Sequence, residues 1–180
     1  KDDFEWNNCV IAGGSMYKIY SNYDEDTNEW KNSDIDLFII AENEIDRIYK
    51  LRYLLNYFKD SYFIIYNSVY YLHFKGINRV LQIICCNFRN LNHFLKNFDY
   101  SHLELFYNGT GLFGTENFKY YIDKKQTKMN IDYINSFRLY KTMLTGLEIV
   151  KNKENQNLNE KFYNKIANCK DFKEKINENY

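Results

Sequence analysis

An apolar run, Cys9-Val10-Ile11-Ala12, leads straight into Gly13-Gly14-Ser15, and a second apolar run, Leu37-Phe38-Ile39-Ile40, is entered through Asp34-Ile35-Asp36. This ordered pair constrains the fold more than any other feature of the chain. Apolar residues stopped by two glycines and resumed by Met16-Tyr17-Lys18-Ile19-Tyr20 read as strand, tight turn and helix. In an extended segment, residues i and i+2 share a face, so Asp34 and Asp36 project together while Ile35 turns into the core. Two carboxylates side by side on a rigid strand are poor neighbours unless a divalent cation lies between them, and hard Mg²⁺ carrying substrate phosphates suits them. The glycines let backbone approach an anion, the amides opening the following helix point at it, and Ser15 adds a hydroxyl donor. Taken singly, a Gly-Gly-Ser is a tight turn and an Asp-Ile-Asp is a solvated strand start. Their order and their flanking strands point to phosphate chemistry.

The remaining patterns describe a mixed α/β (α+β) layer followed by helices. Residues 21–32 are polar and acidic, a loop. Glu42 to Phe58 places Ile45, Ile48, Tyr49, Leu51, Arg52 and Leu55 at helical spacings, which predicts an amphipathic helix. Tyr62–Tyr66 and Ser68–Phe74 predict a hairpin around Asn67, and Val80–Cys85 a buried strand. Leu91–Phe98 predicts a short helix. Leu103–Tyr107 and Gly111–Phe113 predict a second hairpin across Asn108-Gly109. From Ile131 the pattern turns helical to about Val150, and a second helix is expected at 159–176. The expected organisation is an α/β core over 1–130 and a helical extension over 131–180.

Composition narrows the partners. The 180 residues are 45% hydrophobic and 19% aromatic, ample for a core, and carry no proline and no net charge. A domain that grips nucleic acid unaided usually shows a basic excess, so a polynucleotide would need a local patch or a helper domain. Cys9, Cys85, Cys86 and Cys169 and the three histidines form no zinc pattern, and the cysteines suit reduced thiols inside a cell. No stretch approaches a membrane span, so a cytoplasmic location is expected. The AT-rich residue usage points to a virus, phage, protist or low-GC bacterium.

With Gly13-Gly14-Ser15 and Asp34-Ile35-Asp36 in this order, the chain resembles the DNA polymerase β-like nucleotidyltransferase superfamily. Leu81-Gln82-Ile83-Ile84, Phe98-Asp99-Tyr100, the strand through Glu104 and Phe137-Arg138-Leu139-Tyr140-Lys141 extend the likeness. They follow the order of viral and phage nucleotidyltransferase-like proteins, which are loosely similar to viral poly(A) polymerases. The resemblance covers roughly Cys9 to Val150. It implies a nucleotidyltransferase fold in which Gly13, Gly14 and Ser15 bind a triphosphate and Asp34 and Asp36 bind Mg²⁺ or Mn²⁺. The spacing from Ser15 to Asp34 exceeds the family's usual gap, and the surplus falls in the acidic stretch Tyr23–Trp30.

One departure stands out. Active members of the superfamily place a third carboxylate on a neighbouring strand, where it helps bind metal and serves the attacking hydroxyl as a base. At that place this chain has Gln82. Glu104 and Asp99 are the substitutes within the sequence, with Glu104 taken as the third catalytic carboxylate. Arg138 and Lys141, at i and i+3, are candidates to touch the triphosphate, and surface ion pairs are the alternative reading.

The function expected on this basis is transfer of a nucleoside monophosphate, with ATP as donor, to a hydroxyl acceptor such as an RNA 3′ end. The alternative is a catalytically silent relative kept as a subunit for a protein or nucleic-acid partner. A third option is a nucleotide sensor without turnover.

Overall fold

The computed structural model describes residues 3–21, 33–85, 87–131 and 136–150. The chain runs β1 (Cys9–Ala12), α1 (Gly14–Tyr20), β2 (Ile35–Ile39), α2 (Glu44–Tyr57), β3 (Tyr62–Tyr66), β4 (Val69–His73), β5 (Val80–Ile84) and α3 (Leu91–Leu95). A 3₁₀ turn (Ser101–Leu103) then precedes β6 (Leu105–Tyr107), β7 (Leu112–Gly114), α4 (Glu116–Ile122), β8 (Gln126–Lys128), α5 (Ser136–Met143) and β9 (Glu148–Val150). β1 to β7 form one seven-stranded sheet in the order β3-β4-β5-β2-β1-β6-β7, and β8 pairs with β9. Only β2 and β5 run parallel within the large sheet, so it is mixed, as the α+β expectation requires.

The central strand explains the layering. Leu37 and Ile39 of β2 pack with Cys9, Leu54, Leu72 and Ile83 beneath α2. Phe38 points to the opposite face and joins Val10, Ala12, Phe94, Leu95 and Phe106. With both faces covered, β2 reads as an apolar run rather than an alternation. Each fully buried side chain here contributes roughly 1.5–3 kcal/mol of transfer free energy.

Local chemistry sets the ends of the elements. Asn43 caps α2 by accepting from the Asp46 amide at 2.9 Å, Asn90 caps α3 through the His93 amide, and Thr115 caps α4 through the Phe118 amide. Asn67 and Ser68 both have positive φ (48° and 62°), the geometry of a type I′ turn, and they join β3 to β4 as the hairpin expectation holds. Asn108 Oδ1 accepts from the Thr110 and Gly111 amides and shapes the second hairpin loop.

Two expectations change. Ile45, Ile48 and Tyr49 of α2 are exposed, and the buried residues of that helix are Lys50 and Leu54. The inward line is drawn by the sheet and by Phe4, which packs edge-on to Trp6, Tyr53 and Tyr57. The Lys50 ammonium is accommodated there by donating to the Glu5 carbonyl and to Asn7 Oδ1. The helix expected to reach Val150 stops at Met143. Gly146 takes φ 74° just beyond it, and Glu148–Val150 then pairs in parallel with Gln126–Lys128. Ile149 and Val150 are β-branched and fit a strand. Leu139 of α5 packs on Tyr100 and Met129, which fastens this stretch to the core. The expected acidic loop, apart from Ser21, and the expected helix at 159–176 lie outside the described residues.

Gly109 (φ 93°) sits under the Trp6 ring, where an added Cβ would run into the indole. Gly109→Ala therefore combines backbone strain with a clash and should lower stability by about 2–4 kcal/mol. The melting temperature of the purified variant, followed by circular dichroism, checks this.

Candidate nucleotide and metal site

The site is assembled where β1 ends against β2. Gly13 adopts φ 83°, ψ −145°, a conformation for glycine alone. Its amide donates to the Leu105 carbonyl at 3.2 Å, and its carbonyl accepts from the Met16 and Tyr17 amides, which starts α1. A Cβ built at Gly13 would lie 3.4 Å from Phe98 Cε1 and 3.8 Å from Asp36 Oδ2, whereas one built at Gly14 would meet nothing within 4 Å. The bend thus has Asp36 against it, Phe98 over it and open space beside Gly14. Ser15 is buried, and its hydroxyl has no hydrogen-bond partner. A buried hydroxyl with nothing to bond is costly and suits a group that arrives from outside.

Asp36 lies in register with Gln82 of parallel β5, and side chains opposed across a ladder share a face. Gln82 Nε2 donates to Asp34 Oδ2 at 2.5 Å, so Asp34, Asp36 and Gln82 form one cluster. Burial first, and the Asp34 charge second, push the Asp36 carboxyl up to about 6. The positive charges of Arg138 and Lys141 act in the opposite direction. Arg138 also pairs with Asp99, which follows α3, and Lys141 lies 4.6 Å from the centre of the Phe137 ring. The structure therefore gathers Gly13, Asp34, Asp36, Gln82, Arg138 and Lys141, with Asp99 joined through Arg138.

Glu104 stands apart. It is buried at the end of the 3₁₀ turn, and its carboxylate accepts from Thr115 Oγ1, from Asn117 Nδ2 at 2.8 Å and from Asn130 Nδ2 at 2.6 Å. Asn130 also donates to the Phe98 carbonyl, so the Glu104 network braces the segment whose ring covers Gly13. Sequence patterns gave Phe98 no role, since an aromatic packed on a glycine has no local signature.

Among the described residues, no group of three or more His, Cys, Asp and Glu side chains converges on one point. Asp34 and Asp36, with the Gln82 amide beside them, are the two candidate ligands, a number that would suit Mg²⁺, which keeps waters and takes phosphate oxygens. Two clefts of about 380 Å³ lie elsewhere, one lined by Trp6, Asn8 and Leu91 among others, one by Tyr20, Leu112 and Phe118 among others.

The architecture is a nucleotidyltransferase fold. Among solved structures it is similar to two of a tRNA-processing enzyme, at TM-scores of 0.53 and 0.54 with 11% identity, covering 79% of this chain and 39–40% of theirs. It is also similar to a tRNA nucleotidyltransferase complexed with a primer tRNA and an incoming ATP analog, at TM-score 0.50 and 12% identity, covering 79% and 43%. The chain spans about two fifths of the length of these proteins. No curated protein matches. Residues 1–125 match the family described as Gad2, Gabija anti-defense 2 family protein, and the chain belongs to that family. No helix among the described residues is long and apolar enough to cross a membrane.

The raised Asp36 carboxyl has a consequence for stability. The folded state holds this proton more tightly than the unfolded chain does, so the metal-free protein loses stability as pH climbs from about 4 through about 6. Asp36→Asn removes the buried charge. Without divalent metal it should be more stable than the parent at pH 8, by on the order of 1–3 kcal/mol, and the gap should close by pH 4. Denaturant unfolding at the two pH values in EDTA reads the difference directly.

Proposed function

We propose that this chain is a nucleotidyltransferase of the DNA polymerase β-like superfamily. In this reading it binds a nucleoside triphosphate, ATP foremost, and transfers the nucleoside monophosphate to a hydroxyl acceptor, an RNA 3′ end foremost. The observation that carries the reading is the placement of Asp36 Oδ2 3.8 Å from where a Cβ of Gly13 would stand, beside the buried, unpartnered Ser15 hydroxyl. Gly13, Gly14 and Ser15 receive the triphosphate, with the hydroxyl and the first amides of the turn as donors. Asp34 and Asp36 are the residues that would hold Mg²⁺ or Mn²⁺, whose charge would neutralise the phosphates and favour ionisation of the acceptor hydroxyl. Arg138 and Lys141 add positive charge on the same side.

In the reaction the acceptor hydroxyl gives its proton to solvent, its oxygen bonds to the α-phosphorus, the bond from that phosphorus to the α,β-bridging oxygen breaks, and pyrophosphate leaves with that electron pair. The chain's own contribution is to position the phosphates and to hold Asp34 in place through Gln82. Glu104 serves as a brace: its oxygens already accept three side-chain bonds. The tRNA nucleotidyltransferase among the similar structures, bound to a primer tRNA and an ATP analog, supports RNA and ATP as partners. The family name supports a role against the Gabija defence.

A second reading, nucleotide binding without turnover as a sensor or partner-binding subunit, is favoured by Gln82. An amide stands where a third carboxylate would take the proton, and it carries no charge.

Incubating the protein with α-labelled ATP, Mn²⁺ or Mg²⁺ and mixed RNA separates the readings. Label should enter RNA, and Asp34→Ala/Asp36→Ala should lose it by at least about 100-fold. Absent transfer with ATP binding retained in calorimetry selects the second reading. Transfer that survives the double substitution sinks the site altogether.

A further inference from the structure

β3 lies at one end of the large sheet, and no described residue pairs with its outer edge. All five of its residues, Tyr62-Phe63-Ile64-Ile65-Tyr66, are large, apolar or aromatic, and between 53% and 77% exposed. Natural proteins blunt a strand edge with lysine, proline or a bulge, and β3 has none of these. We propose that β3 is a self-association edge: two copies of this chain join their β3 strands antiparallel about a twofold axis passing through Ile64. The proposal is independent of the catalytic reading.

Backbone parity supports a second copy as the occupant. Tyr66 and Val69 flank a two-residue type I′ turn and so form a hydrogen-bonded pair. Tyr66, Ile64 and Tyr62 therefore spend their amides and carbonyls on β4, while Phe63 and Ile65 turn theirs outward. About an axis at Ile64, Phe63 falls opposite Ile65 of the second copy, and Ile65 opposite its Phe63. Both are hydrogen-bonded pairs, which consumes every outward group between Tyr62 and Tyr66. Ile64 then meets its own counterpart at a close, non-hydrogen-bonded position.

Side chains agree with the same register. Tyr62 opposes Tyr66, Phe63 opposes Ile65, and Ile64 opposes itself, so every cross-strand pair joins aromatic or β-branched residues. Beyond the strand, Ser61 opposes Asn67 and Asp60 opposes Ser68, so no like charges meet. The zero net charge adds no general repulsion.

With about 150–250 Å² for a full aromatic side chain and somewhat less for isoleucine, two β3 strands expose roughly 1,300 Å² between them, of which edge pairing covers the part that faces the partner strand. The backbone hydrogen bonds of the new ladder, rather than area alone, carry the association. Residues opposed on a ladder share a face, and Asp36, Gln82, Tyr71 and Ile64 lie in one row across the sheet. The pairing would therefore set the Asp36 clusters of both copies on the same side, about 34 Å apart at a strand spacing of about 4.8 Å if the sheet were flat.

Sedimentation or light scattering of the full chain at concentrations on the order of 10–100 μM should give twice the 21.9 kDa of one chain. Ile64→Lys, which sets two ammonium groups opposite each other at an exposed position, should give a monomer with unchanged circular dichroism and a melting temperature that no longer rises with protein concentration. Ile64→Cys should form a disulfide-linked dimer on mild oxidation, because the self-opposed position brings Cα atoms within bonding reach, whereas the parent protein should not. A monomeric parent overturns the proposal, as does a dimer indifferent to Ile64→Lys or unlinked in Ile64→Cys. So does open-ended aggregation in place of a dimer. Slow amide exchange at Phe63 and Ile65 in a monomer would mean that another part of this chain covers the edge, which also overturns it.

Discussion

The structure depends on the register of β2, held antiparallel to β1 on one side and parallel to β5 on the other. That double pairing brings the Gly13 bend, at the end of β1, beside Asp36, whose Oδ2 lies 3.8 Å from where a Gly13 Cβ would stand. It also sets Gln82 level with Asp36. A slip of one residue would turn Asp36 into the layer beneath α2 and present Leu37 to the site. Such a slip would bury a carboxylate among Leu54, Leu72 and Ile83, and that cost fixes the register.

The same burial that secures the strand creates tension in the site. Asp36 is enclosed enough to resist ionisation, Asp34 beside it makes matters worse, and Arg138 and Lys141 relieve only part of the cost. A site in this condition favours a positive guest. The positive groups arrive late in the chain, on α5, and α5 is held by Leu139 against Tyr100 and Met129. Stability and electrostatics are therefore linked through one small apolar contact. The Glu104 network has a comparable role: a buried carboxylate satisfied by Thr115, Asn117 and Asn130 steadies the Phe98 segment over the bend.

The far edge of the sheet follows a different logic. β4 is covered, with Leu72 fully buried, yet β3 one strand further out is exposed along its whole length. Its sequence is among the most strand-forming in the chain, so the hairpin forms on local preference and turn chemistry without a core of its own. Apolar residues kept on both faces of an edge strand are hard to explain by folding alone, which is why a second edge is the natural complement.

The sequence by itself determined the strands around Gly13-Gly14-Ser15 and Asp34-Ile35-Asp36, both hairpins and the mixed character of the sheet. In each case the signal was local: a glycine stop, a two-residue period, an Asn at a turn. The placing of Gln82 beside the aspartates was implied by the superfamily resemblance, and the parallel pairing of β2 with β5 sets it there. Tertiary structure alone decided which side of α2 faces inward, since its apolar residues surround more than one face and only contact with Phe4 and the sheet selects Lys50 and Leu54 over Ile45 and Tyr49. It decided that Glu148–Val150 is a strand, because a three-residue strand exists only by virtue of its partner, β8. It likewise decided that the Glu104 carboxylate is occupied by three donors and that Phe98 lies over Gly13. Those facts rest on residues far apart in the chain, and no spacing along it records them.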